Sequence, residues 1–325
     1  MMNYNLVSSL HGPLALKSSV PAGFSNVIIP GSEIASAEGE FGHLLLQEIQ
    51  SDQFAINFNV YRMQQDVSLQ FTSHTNSLHA HVLLKNNLRY YIEGVGNIAL
   101  REGQFNILHS PTAATTVYFE AGKEYRTFNT YYSSEILLQL FPFFPELQDF
   151  IKHTHGRPGL LFDIPGWTTI QVVDIITSLL HCPYDETLRR FYFDNKVKEL
   201  LFLLLIQKYT AAAVQTRLTR QDRDAIHEAK SIIEKNTAQH ITSRKIAQQV
   251  GMNEFKLKNF FKQVFGVGMF EFMVQVRMQK ARVLLLETDK PIKEIATLTG
   301  YTSIQNFQTA FRKYFNCTPA SLRKQ

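Results

Sequence analysis

Ile304, Gln305, Asn306, Gln308, Thr309 and Arg312 stand close together near the carboxyl end of the chain. Amides, a hydroxyl and a guanidinium are the groups that hydrogen-bond base edges and clamp phosphate oxygens. Phe307 and Phe311 are interleaved with them, four residues apart. On a helix those two rings share one face, which leaves the polar groups on or near the open one. A second set comes earlier: Phe255, Lys256, Lys258, Asn259 and Lys262, interleaved with Leu257 and Phe261. Its chemistry leans to amines, which suit phosphate. A helix face does not need these residue types for solubility, since Glu and Lys would serve as well.

Each set needs a second helix and a turn to aim it. Ahead of the later set, Ile292, Ile295 and Ala296 form an apolar stripe, and Gly300 supplies the positive φ that turns the chain. Ahead of the earlier one, Ile246, Ala247 and Gly251 repeat that logic. This predicts two helix-turn-helix units, 242–265 and 292–315, with Ala247 and Ala296 placed 49 residues apart. A long predicted helix, 269–286, fills most of the interval and acts as a stiff spacer. Two such readers on one duplex face are separated by roughly 34 Å, one turn of DNA.

Other chemistry-bearing residues form weaker patterns. His79 and His81 alternate on one strand face and could begin a metal site with Glu93 or His109, but the spacing is loose. His153 and His155 flank a loop with Gly156 and Pro158. No Gly-rich phosphate cradle or nucleophile elbow is present in the sequence, so no catalytic residue, metal or cofactor is assigned and an enzyme is not expected.

Composition supports a division of labour. The chain has 325 residues, 45% hydrophobic, enough for one large or two ordinary domains. Residues 1–216 hold 14 Lys and Arg against 19 Asp and Glu, whereas 217–325 hold 19 against 9. A basic last third on an acidic body suggests a polyanion partner for that third alone. Cys182 and Cys317 make no disulfide framework and fit a reducing, cytoplasmic setting. The longest apolar run, residues 200–206, is too short to span a bilayer, so no membrane partner is expected.

Residues 24–133 read as short strands such as "FAINFNVYRM", "HAHVLLKN" and "LRYYIEGVG", a pattern open to either a sandwich or a small barrel. Helices follow, and the greasy helix 186–208 is open to burial in its own domain or to dimerisation. The polar stretch 214–224 reads as a linker.

The stretches "KIAQQVGMNEFKLKNFFKQVFG", "RMQKARVLLLE", "IKEIATLTGYTSIQNFQTAFRKYF" and "TPASLRK" resemble the DNA-binding domain of the AraC/XylS family of bacterial transcription regulators. The wording "KLKNFFKQVFG" with "MFEFMVQVRM" looks closest to the pyochelin-responsive type. By that resemblance Phe255, Lys258 and Asn259 face the groove from the first reading helix, and Ile304, Gln305, Gln308 and Thr309 from the second. Lys262 and Arg312 fall at phosphate or packing positions, and Arg277 at a structural position in the linking helix. Asn316 stands where the family normally has glycine.

The resemblance extends forward through "LRYYIEGVGNIALREGQFNILHSP". It implies an α+β chain: a cupin-like barrel with helices over 1–216, an effector-sensing and dimerising domain, then an all-α DNA-binding domain over 217–325. Tyr91, Phe105, Tyr118, Tyr125 and Phe128 are the candidate effector-pocket residues, and Arg89, Arg101 and Arg126 are open to an anionic ligand or to solvent. The expected function is sequence-specific regulation on double-stranded DNA under a small-molecule effector. A homodimer, and RNA polymerase contact if the protein is an activator, are the expected partners. Two alternatives remain: a helical adaptor that ignores DNA, and a DNA-binding regulator whose barrel holds no effector.

Overall fold

The computed structural model describes residues 5–73, 77–110, 113–154, 156–215, 218–239, 241–265, 267–315 and 317–323. Contacts divide the chain into two compact units, Met1–Thr168 with Ser178–Leu205, and Thr169–Thr177 with Ile206–Gln325. The boundary expected between 216 and 217, and the His155 and Asn316 positions, lie outside the described residues.

Among the described residues, the first unit is built on fourteen antiparallel strands in two sheets. In chain order they are β1 (Asn5–Ser8), β2 (Gly12–Pro13), β3 (Glu33–Gly39), β4 (Gly42–Gln50), β5 (Phe54–Met63), β6 (Val67–Ser73) and β7 (Ser77–Lys85). They continue with β8 (Leu88–Ile92), β9 (Gly96–Leu100), β10 (Gln104–Ser110), β11 (Ala113–Phe119), β12 (Glu124–Tyr132), β13 (Gly159–Leu160) and β14 (Gly166–Trp167). One sheet runs β2-β1-β6-β11-β8-β9, the other β13-β10-β7-β12-β5-β4-β3 with β14 also on β10. The inner faces share one core, with Leu69, Leu88, Tyr90 and Val117 from the first sheet against Leu44, Leu46, Tyr61 and Leu83 from the second.

The cupin-like closed barrel implied by the resemblance is not what forms. Both sheets are open, and no strand pairing joins one to the other among the described residues. Successive strands cross between the sheets, so β5, β7, β10 and β12 fall in one and β6, β8, β9 and β11 in the other. One edge of each sheet ends on two-residue strands, β2 in the first and β13 with β14 in the second, and Pro13 in β2 lacks a backbone donor; β9 and β3 form the other edges.

The larger sheet is buried on both faces. Along β5, Phe54, Ile56, Phe58 and Val60 lie on one face, while Asn57, Asn59 and Tyr61 lie on the other, facing the shared core; all seven are buried. Helices α1 (Ser134–Leu140), α2 (Pro145–His153), α3 (Ile170–Leu180) and α4 (Glu186–Gln215) follow. On α4, Val197, Leu201, Leu204 and Leu205 are buried, but Leu188, Phe191 and Phe202 are exposed.

The second unit is helical: α5 (Arg220–Lys235), α6 (Ser243–Gln249), α7 (Glu254–Phe265), α8 (Met269–Glu287), α9 (Ile292–Leu298), α10 (Ile304–Phe315) and α11 (Pro319–Arg323). Its described residues build two small cores. Ile246, Ala247, Leu257 and Phe261 build one, and Ile295, Ala296, Phe307 and Phe311 build the other. Helix α8 belongs to both. Its first turns give Met269, Phe272 and Met273 to the first core, and its later turns give Met278, Ala281 and Leu285 to the second. Its 19 residues run about 28 Å. In the same unit, the α3 residue Asp174 pairs with Arg282 of α8 at 2.6 Å.

Candidate nucleic-acid interface

Helices α6 and α7 form one helix-turn-helix, α9 and α10 the other, and the two are local copies. Asn253 accepts the Phe255 and Lys256 amides at 2.9 and 3.2 Å and so starts α7. Ser303 starts α10 through the Asn306 amide at 3.4 Å. The turns repeat too: Met252 donates to the Ala247 carbonyl, and Tyr301 to that of Ala296, each at 2.9 Å. Gly251 and Gly300 hold φ of +66° and +82°. The supporting helices are offset by 49 residues and the reading helices by 50, so the second turn is one residue longer. The lengths of "GMNE" and "GYTSI" carry that inserted residue.

Burial sorts the side chains as the spacing requires. Leu257, Phe261, Phe307 and Phe311 are fully buried. Phe255, Lys256, Lys258, Asn259 and Lys262 are exposed on α7, and Gln305, Asn306, Gln308, Thr309 and Arg312 on α10. Ile304 is half-buried at the start of α10. Each group of side chains is therefore brought onto one helix and kept in water. An exposed phenyl ring is unfavourable without a partner, and Phe255 is 75% exposed.

The two readers differ in electrostatics. Lys256 pairs with Asp222 of α5 at 2.7 Å and lies over the Phe260 ring. Lys258 pairs with Glu254 at 2.7 Å, and Ser243 of α6 donates to the same carboxylate at 2.6 Å. The Lys256 bond holds the Asp222 carboxyl below its ordinary value, and Lys258 followed by Ser243 does the same to Glu254. Around α10 the chain has no Asp or Glu after Glu294. There the Ser303 hydroxyl donates to Gln305 Oε1 at 2.9 Å, which leaves the Gln305 amide hydrogens free to donate outward.

Arg277 of α8 holds the frame. Its Nε donates to the Thr237 carbonyl at 2.9 Å and its Nη2 to that of Gln239 at 3.0 Å, while the guanidinium stacks on Tyr301 at 5.7 Å. The loop entering the first reader is thereby tied to the turn of the second.

The aromatic residues singled out in the first unit do not come together as one pocket. Tyr91 and Tyr118 are exposed at 43% and 41%, and Phe105, Tyr125 and Phe128 are fully buried. None of the five lines the cavity between the sheets, whose walls include Tyr61, Tyr90, Tyr131, His79 and His81. Arg126 is engaged by Glu124 at 2.9 Å. Sequence reading missed Asn57, Asn59, Asn106 and Asn129. Their signal was alternation with apolar residues on several strands, which ordinarily marks a solvated face.

Residues 246–325 match the model of a helix-turn-helix domain, and residues 41–219 match the regulatory protein PchR N-terminal domain. The HTH-type transcriptional regulator ArgR of Pseudomonas aeruginosa is 31% identical over 94 residues, 29% of each chain. The match thus spans less than a third of that relative. The HTH-type transcriptional activator RhaR of Mannheimia succiniciproducens is 22% identical over 226 residues, 67% of this chain and 78% of its own. Among solved structures, an AraC-type DNA-binding regulator from Chromobacterium violaceum is 32% identical, covering 32% of this chain and 92% of its own, with a TM-score of 0.31.

Proposed function

This chain belongs to the AraC/XylS family of transcriptional regulators, and on that premise we propose that it binds a specific duplex sequence and regulates transcription in response to a small molecule. The family consists of regulators rather than enzymes, and among the described residues no cluster of His, Cys, Asp or Glu could hold a metal ion. One observation carries the DNA reading. Two helices with the same capping, turn and burial pattern present polar and basic side chains outward, and the single helix α8 supports both.

In this reading Lys256, Lys258, Lys262 and Arg312 supply salt-dependent attraction to phosphate, and Gln305, Gln308, Asn259 and Thr309 read base edges. With its carbonyl oxygen engaged by Ser303, Gln305 donates to groove acceptors such as guanine O6 and N7 or thymine O4. Phe255 and Ile304 suit thymine methyl groups. The first unit senses the effector, and binding shifts the chain between quiet and competent arrangements through its different affinity for them.

Finer readings rest on narrower support. The match over residues 41–219 supports a first unit like that of regulatory protein PchR. Exposed Leu188, Phe191 and Phe202 on α4 favour a homodimer. An activator would also contact RNA polymerase. No helix among the described residues is long and apolar enough to cross a membrane.

Selection of bound duplexes from a random pool, with and without candidate effectors, tests the function. The expected result is one enriched motif with two half-sites about one helical turn apart, and binding that falls steeply with salt. A folded chain that retains no duplex at low ionic strength would leave the adaptor alternative in its place.

A further inference from the structure

A cavity of about 150 Å³ lies between the two sheets of the first unit. Its walls differ in chemistry. The six-stranded sheet contributes mostly apolar side chains, including Phe71, Leu88, Ile92, Leu100 and Val117. The larger sheet contributes a polar floor, and strand register explains why. Asn106 on β10 lies opposite His81 on β7, His81 opposite Asn129 on β12, and Asn129 opposite Asn57 on β5. Four neighbouring strands thus place amides and an imidazole in one row across the inner face. The flanking rows add Thr127 opposite Asn59, and His79 opposite Tyr131.

Leaving a buried polar atom unpaired costs roughly 1–3 kcal/mol, so such a floor has to be used. Part of it is used by the protein. His81 Nδ1–H donates to Asn129 Oδ1, and its Nε2 accepts from the Tyr90 hydroxyl at 2.5 Å, which links the two sheets. The Asn106 amide donates to the Phe162 carbonyl at 2.9 Å. Part is left over. Asn59 is 8% exposed, and its Oδ1 has no hydrogen-bond partner among the described residues. His79 stacks on Tyr131, with centroids 5.0 Å apart, and lines the same space.

No Lys, Arg, Asp or Glu is among the described residues lining the cavity. Burial also keeps both imidazoles neutral. It pushes His79 down to about 3 and His81 down to about 4, the latter against the opposing bond from Asn129. An ion entering here would lose its hydration and meet no counter-charge, which is strongly unfavourable. A neutral molecule with a donor for Asn59 meets no such penalty.

We propose that this cavity binds an uncharged molecule about one substituted ring in size, with a hydrogen-bonding edge toward Asn59 and His79 and an apolar face toward Leu88, Leu100 and Val117. An apolar protein cavity of about 150 Å³ holds one benzene ring, which sets the size. The proposal rests on reading the first unit as the sensor and names the ligand class for it.

The test uses a matched pair, benzamide and benzoate, titrated into the full chain carrying ¹³C-labelled histidine. Benzamide is expected to move the His79 and His81 ring signals and to bind at least about tenfold tighter than benzoate, about 1.4 kcal/mol. Asn59→Leu is expected to weaken benzamide about tenfold, with DNA binding at low salt unchanged. If that variant fails to fold, Val117→Phe, which fills the space from the apolar wall, is expected to abolish the histidine response. Benzoate binding as tightly as benzamide, or neither probe reaching the histidines of the folded chain, overturns the proposal. The two readings separate cleanly. If benzamide occupies the cavity but no bound molecule alters DNA affinity, the cavity stands and the sensor reading falls. If an effector alters DNA affinity equally in the parent and in Val117→Phe, the sensor stands and the cavity proposal falls.

Discussion

Lys256, at an exposed position of the first reading helix, is held 2.7 Å from Asp222, whose own carboxylate closes the capping box of α5 with Thr219. A phosphate must compete with Asp222 for this amine. Asp222→Asn keeps an oxygen for the cap and releases the lysine. Duplex affinity at low salt should rise about 2- to 10-fold, and the salt slope should steepen by up to about one. Fluorescence anisotropy across a salt series measures both. Unchanged affinity and slope would remove Lys256 from the interface.

Gln305 and Lys262 are expected to fail differently. Gln305→Ala should loosen discrimination at one base position by about 1–3 kcal/mol while binding to random duplex is kept. Lys262→Ala should weaken every duplex alike and lower the salt slope by about one. Competition binding against single-base operator variants tells them apart. Equal losses on all sequences for Gln305→Ala would show that it reads no base.

The two turn glycines should not tolerate alanine equally. Both have positive φ, which costs a non-glycine residue about 1 kcal/mol or more. At Gly251 the added carbon meets open space, whereas at Gly300 it would lie 2.4 Å from the Thr237 carbonyl oxygen and 2.8 Å from Arg277. Gly300→Ala should therefore lose about 2 kcal/mol more than Gly251→Ala in urea unfolding. Similar losses would mean the Thr237 loop moves aside freely.

Glu124 gathers Arg62 at 2.8 Å and Lys85 and Arg126 at 2.9 Å each. Partial burial pulls its carboxyl up, but the bonds from Arg62 and Lys85, with Arg126 beside them, prevail and hold it at about 2. A carboxyl depressed in the folded state contributes stability above its unfolded pKa and loses it as pH falls through the folded one. The window runs from about 4.5 down to about 2. Glu124→Gln should lose on the order of 1–2 kcal/mol at neutral pH, after discount for solvent screening, and the gap should close toward pH 2. A gap that does not change with pH would assign the loss to packing instead.

The helical third was legible because its signals are local. Phe307 and Phe311, Gly300 and the caps lie within a few residues of what they organise, so spacing alone places them. The front two thirds were legible as strands but not as sheets. Whether β9 meets β2 or stays an edge depends on pairings far apart in sequence, which alternation does not encode. The same limit hid the polar floor. Asn57, Asn59 and Asn129 alternate with Phe58 and Phe128 as if one face met water, but both faces of this sheet are covered. Tyr91 and Tyr118 misled in the opposite sense, since strand aromatics at those positions point to solvent.

Because α8 supplies side chains to two cores, the distance between the readers is stored as a residue count. Deleting one residue from its middle would shorten the span by about 1.5 Å and rotate the downstream reader by about 100°. Small insertions and deletions there are barred to evolution unless the target DNA changes its helical phase in step, whereas point changes on the exposed faces can drift one base at a time.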